Sequence, residues 1–222
     1  MKIIEPYSEI LVMDNGATLL RRIETAGRVC YKSEDRITSD SASKFVHKLL
    51  RSGHLSVIEH AVATVRIVCD RGVSHELVRH RLASYSQEST RYANYGREKF
   101  GREITVIKPC FWPEDSREYA LWHEAMLAAE KAYLALTTAG ASAQQARGVL
   151  PNSLKTEIVV TCNLREWRHI FEMRCAPAAH PQMRQVVLPL LERMHERAPE
   201  IFADIFEEFA HDITNKSFCL AY

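Results

Sequence analysis

Strand-like and helix-like segments interleave along this 222-residue chain without a regular strand–helix–strand rhythm. Ala61-Val62-Ala63-Thr64-Val65-Arg66-Ile67-Val68-Cys69 is β-branched and largely alternating, which predicts a strand. Further strands are expected at 8–13, closed by the turn signal Asp14-Asn15-Gly16, at 104–107 and at 157–162. Amphipathic spacing predicts helices over 17–30 and 39–52; in the second, Phe45, Val46, Leu49 and Leu50 share a face and Gly53 marks the stop. More helices are expected over 72–81, 114–138, 141–149 (closed by Pro151), 164–174, 181–197 and 199–211. Residues 82–100, polar and aromatic, read as an ordered loop. Such irregular interleaving favours an α+β fold over a doubly wound parallel sheet. No Pro/Gly/Ser-rich linker, low-complexity run or repeat divides the chain, so one domain over 1–222 is expected.

The densest polar segment runs from Arg79 to Tyr92. It places three arginines, a histidine, four Ser or Thr hydroxyls and two tyrosines in fourteen residues. A guanidinium grips phosphate through a planar two-pronged fork, and hydroxyls with loop N–H groups complete such a cradle. The segment is therefore either a cradle for a small polar anion or a solvated basic turn after a helix. The formal charge of the whole chain is only +1, with acidic and basic residues interspersed. A nucleic-acid polymer is thus disfavoured as partner, and local positive charge points to a small anion.

Six scattered cysteines without a CxxC pair, no secretory leader and no apolar run of spanning length fit a reduced cytoplasm and no membrane association. No GxGxxG or GxxxxGK[ST] loop is present. Histidines 54, 60, 75 and 80 with Glu59 and Glu76 suggest a metal site on paper. His75 and His80, five apart, would diverge on a helix, so no metal is expected. Cys110 is the only cysteine following a proline, but it lacks an adjacent histidine and reads as a buried structural residue. Ser89 is a candidate nucleophile if Glu88 or His80 serves as base, and otherwise a binding group.

Four blocks carry a family resemblance. Arg79-His80-Arg81, seven residues and Ser89 resemble the signature of the flavin-dependent thymidylate synthases, with Arg91 at the place of a further family arginine. Gly53-His54-Leu55-Ser56-Val57-Ile58-Glu59-His60, Ala146-Arg147-Gly148-Val149-Leu150-Pro151, and Asn163-Leu164-Arg165 followed by Met173-Arg174 resemble three more segments of that family, in its order. The resemblance implies an α+β single domain with a mixed sheet flanked by helices. It further implies reductive methylation of dUMP to dTMP by a homotetramer with shared active sites. FAD is the implied cofactor, and NADPH and 5,10-methylenetetrahydrofolate the co-substrates.

Residue roles carry over with the blocks. Arg174 is expected beside the uracil, favouring ionisation at N3, and is the catalytic candidate. Glu76, Arg79, Gln87, Glu88, Ser89, Thr90, Arg91 and Arg147 complete the dUMP set, in which Ser89, Thr90 and Arg91 clamp the phosphate. Ser56, Arg79, His80, Arg81, Gln87, Asn163, the Leu164 backbone, Arg165 and His169 form the FAD set, with His54 near the flavin. Glu76 stands where many relatives have Gln, and Gln87 where many have Glu.

Overall fold

The computed structural model describes residues 1–216 and Cys219. In chain order the elements are β1 (Lys2–Ile4), β2 (Tyr7–Met13), α1 (Gly16–Val29), α2 (Ser41–Arg51), β3 (Val62–Asp70), α3 (Arg71–Leu77), β4 (Ala83–Gln87), β5 (Thr105–Ile107), α4 (Arg117–Thr138), α5 (Ala143–Ala146), β6 (Lys155–Asn163), α6 (Leu164–Arg174), α7 (Pro181–Arg197) and α8 (Pro199–Asn215). Four strands form a sheet in the order β2-β3-β6-β4, and β1 pairs in parallel with β5, Ile3 opposite Val106. The α+β expectation holds. The chain forms two compact units: Met1–Tyr7 with Ile67–Arg79 and Ser86–Val159, and Ser8–Arg66 with His80–Tyr85 and Val160–Tyr222.

The first unit is built on a core of Tyr95, Ile104, Val106, Trp122, Met126, Tyr133, Ala146 and Leu154. Helix α4 starts where the sequence provides a cap: Ser116 Oγ accepts from the Tyr119 N–H at 3.1 Å. The Trp122 indole N–H, carried into this core, donates to Ser153 Oγ at 3.0 Å, so burying the ring leaves no polar atom unpaired. Helix α5 begins with a capping box between Ser142 and Gln145.

The second unit packs α6, α7 and α8 against one another and α1 against α2. Helix α6 begins at a side-chain cap: Asn163 Oδ1 accepts from the Glu166 N–H at 2.8 Å. Leu164, Trp167, Ile170 and Phe171 form its buried stripe, at helical spacing, while Arg165 and His169 stay exposed. Trp167 is fully buried and donates its indole N–H to the Ala63 carbonyl at 3.1 Å.

One buried arginine on α6 is held by a forked pair. Arg168 donates to Asp204 Oδ1 at 2.7 Å and Oδ2 at 2.6 Å, and also to the Ile201 carbonyl. The hydrogen bond from Arg168 holds the Asp204 carboxyl below its ordinary value. A carboxylate depressed on folding stabilises the fold above its unfolded pKa and loses that contribution as pH falls through the folded one. Asp204 is largely exposed, so screening reduces the pair's worth. We expect Asp204→Asn to cost about 1–2 kcal/mol at pH 7. Its denaturation midpoint should converge with the parent's in acid, below the normal carboxylate range. Coincident midpoints at pH 7 would show that the fork adds nothing.

Two sequence expectations need correction. The helix predicted over 72–81 stops at Leu77: the Val78 N–H still reaches Ser74, but the Arg79 N–H closes a tighter turn onto Glu76. Residues 83–87, read as loop, are instead β4, which lies beside β6. The ladder overrides the weak local signal of Ala-Ser-Tyr-Ser-Gln, a tertiary effect on strand propensity.

Candidate active site

In the first unit, the residues after β4 are anchored from beneath. Gln87 donates its side-chain amide to Ser74 Oγ at 2.8 Å and Thr156 Oγ1 at 3.1 Å. Glu88 accepts from Tyr95 Oη at 2.9 Å and from Lys155 Nζ at 2.9 Å, and Lys155 also pairs with Glu157 at 2.8 Å. Burial, with Glu88 next, pushes the Tyr95 hydroxyl pKa far up, so it remains a donor to that carboxylate. With its base thus fixed, the segment turns at Ser89, whose carbonyl accepts from Tyr92 N at 3.0 Å and Ala93 N at 2.8 Å. Ser89 and Arg91 emerge exposed, and Thr90 is buried. Arg91 Nε donates to Gln144 Oε1 at 2.5 Å, tying the segment to α5. Arg147, exposed, opens the short turn that follows α5. The structure thus links Ser89, Thr90 and Arg91 to the segment carrying Arg147. Glu88 is an internal brace and Gln87 an anchored amide. Glu76 is half-buried and Arg79 exposed.

The second unit gathers His80, Glu166, His169 and Arg174. Arg174 Nε donates to His80 Nε2 at 3.0 Å, and His80 Nδ1 lies 3.6 Å from Glu166 Oε1. The rings of His80 and His169 meet edge to face with centroids 5.6 Å apart. Tyr85 Oη donates to the His80 carbonyl at 2.6 Å, which pins the turn after α3. The Tyr85 hydroxyl is pushed up to about 12 by burial first, then by Cys162 and Glu166, against Arg174. His80 and Glu166 are buried, Arg174 is half-buried, and Arg81 and His169 are exposed. Arg165 pairs with Glu59 at 2.6 Å, joining α6 to the 3-10 helix Leu55–His60 that carries exposed Ser56. Asn163 is occupied as the cap of α6, and Leu164 is buried with its N–H given to the Ala61 carbonyl at 2.9 Å.

Comparison with known proteins gives the family. The chain matches the family model described as Thymidylate synthase complementing protein over residues 12–200. It is 36% identical over 189 residues to a flavin-dependent thymidylate synthase of Geobacter sulfurreducens, spanning 82% of this chain and 80% of that one. The chain belongs to this family. A second flavin-dependent thymidylate synthase, from Pyrococcus furiosus, is 36% identical over 167 residues, covering 75% of this chain and 68% of the relative. Among solved structures, a UMP/dUMP methylase, PolB, from Streptomyces cacaoi bound with 5-Br UMP superposes with a TM-score of 0.73 at 20% identity. That match covers 94% of this chain and 97% of the other and supports the same fold.

Several supporting residues were not read from the sequence. Ser74, Gln144, Lys155 and Thr156 hold members of the expected dUMP set without resembling any motif, because they are scattered over α3, α5 and β6. Glu166 was legible: Asn163-Leu164-Arg165-Glu166 has the spacing of a helix start with an acidic residue in the first turn. Cys110, expected buried, is half-buried and disulfide-bonded, so it is no thiolate nucleophile here. A cavity of about 880 Å³ in the second unit is bordered by Thr18, Arg21, Arg22, Thr25, Asp40 and His60 among others. None of the sequence-predicted site residues lines it. No helix among the described residues is long and apolar enough to cross a membrane.

Proposed function

We propose that the chain, as one catalytic domain over 1–222, converts dUMP to dTMP with 5,10-methylenetetrahydrofolate as carbon donor. In this reading NADPH is the reductant and FAD the bound cofactor. The single observation that carries it is the hydrogen bond between Arg174 and His80. It joins the arginine of one family block to the middle of another, 94 residues away.

The donor set fits such a cofactor. Exposed Arg81 and Arg165 suit a pyrophosphate, and exposed His169 offers an imidazole edge or face to a flat ring. When bound, the flavin supplies the hydride that turns the transferred one-carbon unit into a methyl group. The protein's own task is positioning and polarisation. Ser89, Thr90 and Arg91 hold the dUMP phosphate, and Arg147 makes a further contact to dUMP. Gln87, its amide nitrogen committed to Ser74 and Thr156, presents its carbonyl as an acceptor for a ligand N–H. Arg174, cationic beside the pyrimidine, favours the ring anion and makes the accepting carbon more nucleophilic. A homotetramer with shared active sites and a cytoplasmic location complete the proposal.

Ser89→Ala should raise the Michaelis constant for dUMP about tenfold, the worth of one hydrogen bond to a charged group. The rate of flavin reduction at saturating nucleotide should stay near the parent's. Lost methyl transfer with unchanged dUMP affinity would assign Ser89 to chemistry instead. For the whole reading, the purified protein should be yellow and should be bleached by NADPH faster when dUMP is present. Colourless protein that binds dUMP would contradict it.

A further inference from the structure

The phosphate clamp assigned above begins one residue after a carboxylate. Glu88 directly precedes Ser89, and its side chain is only 18% exposed. An acid so placed opposes a phosphate bound to its neighbours, because like charges about 10 Å apart still repel at physiological salt. Two contacts meet this acid. Tyr95 Oη donates to Glu88 Oε1 at 2.9 Å, closing the turn from 88 to 95, and Lys155 Nζ donates to Glu88 Oε2 at 2.9 Å. The hydroxyl fixes the carboxylate in place but leaves its charge; the ammonium cancels it. Burial works against that ammonium, yet its hydrogen bonds to Glu157 and Glu88 prevail and hold the Lys155 pKa above its ordinary value. Glu157, 42% exposed, has water to screen its own charge, and Glu88 has far less. Among the described residues, Lys155 is the one cation in ion-pair contact with Glu88.

We propose that Lys155 is a positioning residue for the nucleotide phosphate: it neutralises Glu88 beneath Ser89, Thr90 and Arg91, so that the clamp presents net positive charge. This rests on the reading of those three residues as holders of the dUMP phosphate. Lys155 touches no ligand in this scheme and acts through Glu88. Tyr95 shapes the turn, and Lys155 sets its charge. Without the ammonium, a largely buried carboxylate stays uncompensated beside the clamp. At about 10 Å, with an effective dielectric constant of about 20 and salt screening, that charge lowers affinity for a phosphate about tenfold. Glu88→Gln removes the same charge, while its amide oxygen can still accept from Tyr95 Oη. It should therefore cancel the harm of losing Lys155.

The test measures dUMP binding by calorimetry to the full chain loaded with flavin, without folate. Lys155→Met should bind dUMP about tenfold more weakly, and Lys155→Arg, which keeps the charge, should stay within about twofold of the parent. Deoxyuridine, which lacks the phosphate, should bind the parent and Lys155→Met alike. In steady state, kcat at saturating dUMP should stay near the parent's in Lys155→Met. The double variant Lys155→Met/Glu88→Gln should return to the parent's affinity for dUMP. A purely geometric brace would not recover, because the double variant has lost more contacts than the single one. If Lys155→Met does not fold, the double variant, which has no unpaired carboxylate at 88, decides by the same measurement. A double variant that stays tenfold weak, parent affinity in Lys155→Met, or an equal loss for deoxyuridine would overturn the proposal. A parent that binds no dUMP would sink the clamp and the proposal with it. A parent that binds dUMP but makes no dTMP would sink the reaction while leaving the charge test to judge Lys155 by itself.

Discussion

Arg174→Ala should lose about a hundred- to a thousandfold in kcat, the usual cost of deleting one preorganised donor at a developing charge. The variant should still retain its flavin, because the exposed groups assigned to the cofactor, Arg81, Arg165 and His169, all stay in place. The fold should hold as well. Arg174 is half-buried at the end of α6, and cutting it back leaves His80 with an Nε2 that water can satisfy. Arg174→Lys should recover little, since a lysine is a point charge without the Nε–H that meets Nε2 in the guanidinium plane. The measurement is steady-state kcat for dUMP with flavin content read from absorbance. Turnover near the parent level in Arg174→Ala would remove this residue from the chemistry.

Trp167→Ala should be the most damaging single change to the fold. The ring is fully buried, stacks against Phe171 with centroids 5.9 Å apart and donates to the Ala63 carbonyl. Truncation removes a large apolar surface, opens a cavity and leaves a buried carbonyl without its donor, together about 3–5 kcal/mol. That is a large part of a typical domain's stability of about 5–15 kcal/mol. Functional consequences follow from where the ring sits: α6 also carries Arg165, Glu166, His169 and Arg174. The variant should therefore lose flavin retention along with its denaturation midpoint. A stable Trp167→Ala protein with normal flavin content would show that α6 does not depend on this anchor.

What could be read in the sequence was what local chemistry encodes. Helix α6 was legible from its apolar stripe, and the structure places it over the expected residues, Leu164–Arg174. Strand β3 was legible from β-branched alternation. Strand β4 was not, because Ala-Ser-Tyr-Ser-Gln has little local preference and is ordered by its place beside β6. The same holds within the candidate site. Arg79, Ser89, Arg91, Arg147 and Arg174 stand in recognisable blocks. The groups that hold them, such as Lys155 under Glu88 or Gln144 under Arg91, are scattered and act only once the chain has folded. The family resemblance also gave Glu88 a ligand role, and in the fold its carboxylate accepts from Tyr95 and Lys155. A carboxylate already satisfied by Tyr95 and Lys155 has little left to offer an anionic nucleotide.

The central claim is that methylation of dUMP draws its hydride from a protein-bound flavin. In an anaerobic single turnover, the chain with its flavin reduced beforehand would be mixed with dUMP and methylenetetrahydrofolate, without NADPH. One dTMP and one tetrahydrofolate should form for each flavin reoxidised, because the folate gives up carbon but no hydride. Formation of dTMP with dihydrofolate and a flavin that stays reduced would contradict it.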